Sequence, residues 1–147
     1  MLDIVVTNDK CMPKAATDGS AGLDLRLGIK TAAGYTVMTP GMELKFSTGV
    51  KVAIPKGWVG LLLPRSGLGT KFKVKLDNTV GIIDSDYRGE IKVCMTNTGS
   101  KEFTVEDYER VCQLVIVPHM DVSRFNVVNA LEETARGEGG FGHTGKS

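Results

Sequence analysis

The sequence has few cysteines, few aromatics, no long apolar run and almost no net charge. Cysteine occurs three times, at Cys11, Cys94 and Cys112, an odd number at wide spacing with no C-x-x-C pair. That argues against a disulfide framework or a zinc site, and for a reducing, cytoplasmic setting. No apolar stretch approaches the ~20 residues needed to cross a bilayer, and MLDIVVTNDK lacks the basic region and apolar core of a signal peptide. A soluble, unprocessed chain that does not enter membranes is expected. Basic and acidic side chains number 18 and 17, so no overall field is present to hold nucleic acid. An anionic ligand would have to be met by a few local charges.

Glycine is what the sequence has in excess. There are 18 in 147 residues, against roughly 10 at an average usage of about 7%. Gly137, Gly139, Gly140, Gly142 and Gly145 fall within the last eleven positions, so part of the surplus is local. The remaining length, with 41% hydrophobic residues, is sized for one domain with a single core.

Short runs with period-two alternation or β-branched enrichment recur along the chain. They are DIVVT from Asp3, LDLRL from Leu23, ELKFSTGVKVAI from Glu43, WVGLLL from Trp58, FKVKL from Phe72, EIKVCMT from Glu90, VCQLVIV from Val111 and RFNVV from Arg124. Turn signals such as Thr39-Pro40-Gly41 and Pro55-Lys56-Gly57 separate them. Helix is expected only as one or two turns at Ser66–Lys71 and Leu131–Ala135. This pattern predicts an all-β antiparallel sandwich or barrel of jelly-roll type over residues 1–135. Residues 136–147 read as a flexible, Gly-rich arm that cannot offset its own ordering entropy without a ligand.

The arm matches two nucleotide-binding patterns literally. GEGGFG satisfies G-x-G-x-x-G, and GFGHTGKS satisfies G-x-x-x-x-G-K-[ST]. Both mechanisms need a strand before the loop and a helix after it, because the helix N-terminus supplies aligned amides. The sequence ends at Ser147, so neither fold is expected. The physics beneath the pattern still applies: glycines let main-chain amides approach phosphate oxygens, and Arg136, Thr144 and Lys146 add charge and donors.

Two interior stretches carry further chemistry. LPRSGLGTKF leaves a strand through proline into a turn bearing Arg65, Ser66 and Gly67, a plausible anion site and also a common surface turn. NTVGIIDSDYRGEIKV, from Asn78, reads as a hairpin with Asp84 at the end of its first strand. Asp84 and Asp86 could ligate a metal or divide base and structural duties, and aspartates also simply favour turns.

Taken in order and spacing, AGLDL (Ala21), PRSGL (Pro64), GIIDSDYRG (Gly81), RVCQL (Arg110) and RGEGGFGHTG (Arg136) resemble the five motifs of the homotrimeric deoxyuridine triphosphatases. The resemblance spans nearly the whole chain. It implies a jelly-roll subunit, a trimer with shared active sites, and Mg²⁺-dependent hydrolysis of dUTP to dUMP and pyrophosphate. That activity limits uracil incorporation into DNA and supplies dUMP for thymidylate synthesis. Carried over residue by residue, Asp84 resembles the general base that deprotonates the water attacking the α-phosphorus. Arg65, Ser66, Gly67 and Gln113 resemble phosphate-facing residues. Asp24 resembles an aspartate near the water ligands of a Mg²⁺ held mainly by the triphosphate. Main-chain groups of Gly81, Ile82, Ile83 and Asp84, with groups near Lys92 and the amide of Asn78, would pair with uracil. Tyr87 resembles the tyrosine beneath the deoxyribose. Phe141 resembles the aromatic that stacks on uracil, and Arg136, with Gly142 and Thr144, belongs to the segment that reaches the γ-phosphate.

Departures are small: Gly69 follows PRSGL where alanine is frequent, Leu27 follows the first motif, and Cys112 precedes Gln113, as a small core residue rather than a nucleophile. His119 is expected to be structural, and His143 has no required role. Two alternatives remain: a dCTP deaminase relative of the same fold, or a nucleotide-gated binding protein with a regulatory protein partner, as in some viral members. DSDYRG, in place of a deaminase turn with tryptophan and glutamate, argues against the first.

Overall fold

The computed structural model of the chain describes residues 1–140. Eleven strands fill it: β1 (Asp3–Val6), β2 (Leu23–Arg26), β3 (Tyr35–Met38), β4 (Glu43–Ser47), β5 (Val50–Ala53), β6 (Trp58–Pro64), β7 (Val74–Leu76), β8 (Gly81–Ile83), β9 (Lys92–Asn97), β10 (Phe103–Glu106) and β11 (Arg110–Pro118). All ladders are antiparallel. The longest strand, β11, lies between β2 and β6 in a four-stranded sheet ordered β2-β11-β6-β8. A second sheet is ordered β4-β9-β7, and β1-β5 and β3-β10 form two further pairs. The all-β, jelly-roll expectation holds.

Alternation explains the layering. On β9, Val93 and Met95 are buried while Lys92 is exposed; on β7, Val74 and Leu76 are buried around exposed Lys75. These apolar faces join Leu25, Phe46, Leu62, Val111, Cys112 and Leu114 in one core cluster. Burial of that kind stabilises by roughly 25 cal/mol per Å² of apolar surface. Asn97, fully buried at the end of β9, donates through Nδ2 to Met38 O and Lys101 O, both at 2.8 Å, and accepts from Gly99 N at 3.0 Å. Its hydrogen bonds tie the end of β3 and the β9–β10 loop to the core without leaving an unpaired amide.

Several local expectations need correction. ELKFSTGVKVAI is two strands, broken at Thr48-Gly49, where Gly49 takes φ +71°. The helical turn expected at Ser66–Lys71 is present, running from Ser66 into a wide π-type turn at Leu68–Phe72, but none forms at Leu131–Ala135, and a 3-10 turn at Asp9–Cys11 was not expected. RFNVV forms no strand, and Phe125, Val127 and Val128 stand exposed, with no ladder partner among the described residues. The hairpin around DSDYRG is also overturned. β8 pairs with β6, and β9 pairs with β4 and β7, so the connection from Asp84 crosses between two sheets.

Candidate active site

That crossing creates a cleft. In the β2-β11-β6-β8 order, β8 is an edge, so its outer main-chain donors and acceptors have no ladder partner among the described residues. Opposite it, β9 pairs with β7 only from Met95 to Asn97, leaving Lys92 and Val93 without a ladder partner on that side; Cys94 O accepts from Asp77 N at 3.0 Å. The gap between the two strands is a cavity of about 680 Å³ lined by Lys45, Asp77, Asn78, Ile82, Ile83, Asp84, Tyr87, Ile91, Lys92 and Cys94. A flat ring with its own donors and acceptors, placed there, can complete strand-edge hydrogen bonds on both walls.

Six expected site residues therefore share one cleft: Asn78, Ile82, Ile83, Asp84, Tyr87 and Lys92. Gly81 is buried behind it, paired with Leu62. Asp84 is exposed just past the last β8 residue, and Tyr87 N donates to Asp84 O at 3.1 Å, which turns the chain back under the cleft. Sequence reasoning missed Lys45, Asp77 and Cys94, which reach the cleft from β4, from the loop after β7 and from β9.

A second constellation lies elsewhere. Asp24 of β2 is buried and faces two guanidiniums, with Arg65 Nε at 3.4 Å from Oδ1 and Arg110 Nη1 at 3.1 Å from Oδ2. Arg65 Nη1 also donates to Arg110 O at 3.2 Å, and Leu68 N closes the turn onto Arg65 O at 3.1 Å. Gln113, opposite Asp24 in the β2–β11 register, reaches Pro64 O with Nε2 at 3.4 Å. Ser66 and Gly67 lead into the π-type turn. Arg110 stood inside a motif but carried no assigned role; its pairing with Asp24 could not be read without the strand register.

The two constellations do not meet within the chain. Gly60 pairs with Ile83 and Leu62 with Gly81, so Asp84 falls beside Val59 while Arg65 lies past the far end of β6. Six residues of extended chain separate these positions, roughly 20 Å at about 3.3 Å per residue. Arg136 joins neither group: its Nε donates to Gly139 O at 2.8 Å, within its own turn. Phe141, Gly142, Thr144 and Lys146 lie outside the described residues.

Cys112, on β11 beside Gln113, is fully buried; burial, and secondarily the Asp24 carboxylate, push its thiol up to about 12. It is held as a protonated core group, not an available thiolate. Among the described residues no group of three or more His, Cys, Asp or Glu side chains is arranged to hold a metal ion, and no helix is long and apolar enough to cross a membrane.

The architecture and cleft define a jelly-roll β protein with a strand-edge pocket bordered by a carboxylate. Comparisons with known proteins narrow that class. A family model described as dUTPase matches residues 8–145. The chain is similar to the deoxyuridine 5'-triphosphate nucleotidohydrolase of Escherichia phage T5, at 50% identity over 147 residues and 99% of each chain. It is also similar to that of Actinobacillus pleuropneumoniae serotype 5b, at 46% identity over 99% of this chain and 95% of the relative. Among solved structures, a mutant of the Staphylococcus bacteriophage 80alpha dUTPase with dUpNHpp matches with a TM-score of 0.84 at 26% identity, covering 99% of both chains. The chain belongs to the dUTPase family.

Proposed function

We propose that the protein hydrolyses dUTP to dUMP and pyrophosphate, with uracil in the gap between β8 and β9 and Asp84 as general base. The observation that carries this reading is the single cleft shared by Asn78, Ile82, Ile83, Asp84, Tyr87 and Lys92. Unpaired strand-edge groups select uracil, because cytosine would leave buried donors or acceptors unmatched. Thymine's methyl would overpack the gap. Tyr87 packs under the sugar and disfavours a 2′-hydroxyl. The Asp84 carboxylate takes a proton from water as the new oxygen–phosphorus bond forms at the α-phosphorus and the bridging bond to the β-phosphate breaks, releasing pyrophosphate.

Mg²⁺ fits the donor set as an ion held chiefly by the triphosphate. Mg²⁺ keeps several waters and needs no protein cage. Asp24 spends one direction of each oxygen on Arg65 and Arg110, and its remaining lone pairs can accept from metal-bound water. When bound, the ion neutralises charge on the phosphate oxygens. Arg65, Ser66, Gly67 and Gln113 hold the phosphates, and residues 136–147 close over them as a separate arm, Arg136 and Thr144 toward phosphate and Phe141 with Gly142 over the base.

The active unit is a homotrimer. The roughly 20 Å between Asp84 and Arg65 exceeds the reach of an arginine side chain, so one subunit's cleft is completed by another subunit's arginine. Exposed Val122, Phe125, Val127, Val128 and Leu131 form an unpartnered apolar arm suited to a neighbouring subunit. The test is pyrophosphate release with Mg²⁺ from dUTP, dCTP, dTTP and UTP, together with the mass of the assembly in solution. Strong preference for dUTP supports the reading; comparable turnover of UTP or dTTP, or ammonia release from dCTP, overturns it.

A further inference from the structure

The loop that carries Asp84 and Tyr87 is fixed in shape by its own contacts. The Tyr87 hydroxyl donates to Glu90 O at 2.9 Å, which folds the ring back over Gly89. A Cβ at Gly89 would run into that ring. Arg88 Nη1 donates to Ser85 O at 2.7 Å and to Tyr87 O at 3.0 Å. These bonds lie within the loop, so they set its form and not its position on the domain.

Position comes from the residues that follow. Glu90 Oε1 accepts from Gly49 N at 2.6 Å, across to the β4–β5 corner. Ile91 N donates to Val50 O at 2.9 Å beside it. The corner is a firm anchor: Gly49 is buried at φ +71°, and a Cβ there would lie 2.9 Å from Cys11 Sγ and 3.1 Å from Thr7 Oγ1. A carboxylate-to-amide hydrogen bond is about twice as strong as a neutral one, and losing it would strand a buried N–H. Tyr87 is 43% exposed, so packing alone does not hold its ring.

We propose that Glu90 is a positioning residue for sugar selection. Its carboxylate, anchored on the Gly49 amide, fixes the carbonyl that holds the Tyr87 hydroxyl, and so sets the height of the ring under the sugar. This rests on the reading of Tyr87 as the sugar-facing residue. A purely structural Glu90 would lower stability and affect dUTP and UTP alike; a positioning Glu90 changes their ratio.

The experiment measures kcat/KM for dUTP and UTP in the full-length enzyme with Mg²⁺, alongside thermal melts. The variants are Glu90→Ala, Glu90→Gln, Tyr87→Phe, Tyr87→Ala and the Glu90→Ala/Tyr87→Phe double. Glu90→Ala is expected to lower the dUTP-over-UTP preference about tenfold, the scale of one positioning hydrogen bond. Glu90→Gln keeps an acceptor oxygen for Gly49 and should retain most of the preference. Tyr87→Phe cuts the same chain of contacts at its other link, so the double variant should lose no more than the worse single variant. Wild-type preference in Glu90→Ala, or in Tyr87→Phe where the first does not fold, overturns the proposal, as do additive losses or a Gln variant as impaired as Ala. If Tyr87→Ala itself keeps the preference, the reading of Tyr87 fails and the proposal with it. If Tyr87→Ala loses the preference and Glu90→Ala keeps it, the proposal alone fails.

Discussion

Arg65 Nε lies 3.4 Å from Asp24 Oδ1, and the second oxygen of the same carboxylate takes Arg110 Nη1 at 3.1 Å. Asp24 is buried and both arginines are partly exposed, so the carboxylate works as a fixed post that orients two guanidiniums toward solvent. Substituting Asp24→Asn keeps the shape and removes the charge. Both arginines then lose their shared partner, and about tenfold or more of kcat/KM for dUTP should go with them. Steady-state kinetics and a thermal melt check this; unchanged kcat/KM with a lowered melting temperature would assign Asp24 to stability alone.

Asp84 borders the cleft without any side-chain hydrogen bond among the described residues, which suits a group whose partner is a water on the substrate. Asp84→Asn should therefore bind nucleotide with little change and lose about 10²–10⁴ of turnover, the usual weight of a positioned general base. Calorimetric binding of a non-hydrolysable dUTP analogue, compared with kcat, separates the two effects. Near-normal turnover would remove Asp84 from the reaction.

The division between what could be read in the sequence and what could not follows a physical line. Strands β6 and β11 announced themselves because their apolar, β-branched runs are seven and nine residues long. β3 and β10 were not read as strands: Tyr35–Met38 and Phe103–Glu106 are four residues each and find their partner in one another, far apart in sequence. GIIDSDYRGEIKV reads as a hairpin because turn residues sit between two apolar runs, yet pairing is decided by β6 and β4, which lie far away in sequence. Asp84 and Tyr87 were legible through motif resemblance. Lys45, Cys94 and Arg110 were not, since only strand register brings them to the cleft or to Asp24.

Cys94 lines the cleft and is partly accessible, whereas Cys11 and Cys112 are fully buried. A maleimide applied to the native protein should modify Cys94 first. The adduct would occupy the space proposed for uracil, so activity should fall in step with labelling, and a non-hydrolysable dUTP analogue should slow both. Mass spectrometry of labelled peptides with parallel assays reads this out. Full labelling of Cys94 with full activity would move the base out of this cleft.

The Cys112 thiol also predicts a pH dependence of stability. Its ordinary value of 9.0 is pushed up to about 12 in the fold, so above pH 9 the unfolded chain releases a proton that the folded chain keeps. The folded state then binds more protons, and its stability declines as pH rises. Below pH 9 the contribution is fully present; between pH 8 and pH 10.5 about 2 kcal/mol should be lost. Cys112→Ala should be less stable at pH 8 because of the cavity, and its stability should decline less over the same range. Denaturant unfolding at several pH values gives both slopes, and parallel slopes would contradict the prediction.

The separation of Asp84 from Arg65 along β6 makes the strongest demand. If each site takes its base from one subunit and its phosphate arginine from another, then Asp84→Asn and Arg65→Ala trimers should each be nearly inactive for different reasons. Subunits unfolded together at equal amounts and refolded would mix. A given site is then intact when its Asp84 comes from an Arg65→Ala subunit and its Arg65 from an Asp84→Asn subunit. Each condition holds half the time, so about a quarter of wild-type activity should return. Sites contained within single subunits would return none, because every subunit in the mixture carries one defect. The assay is steady-state pyrophosphate release before and after mixing, with each variant refolded alone as the control.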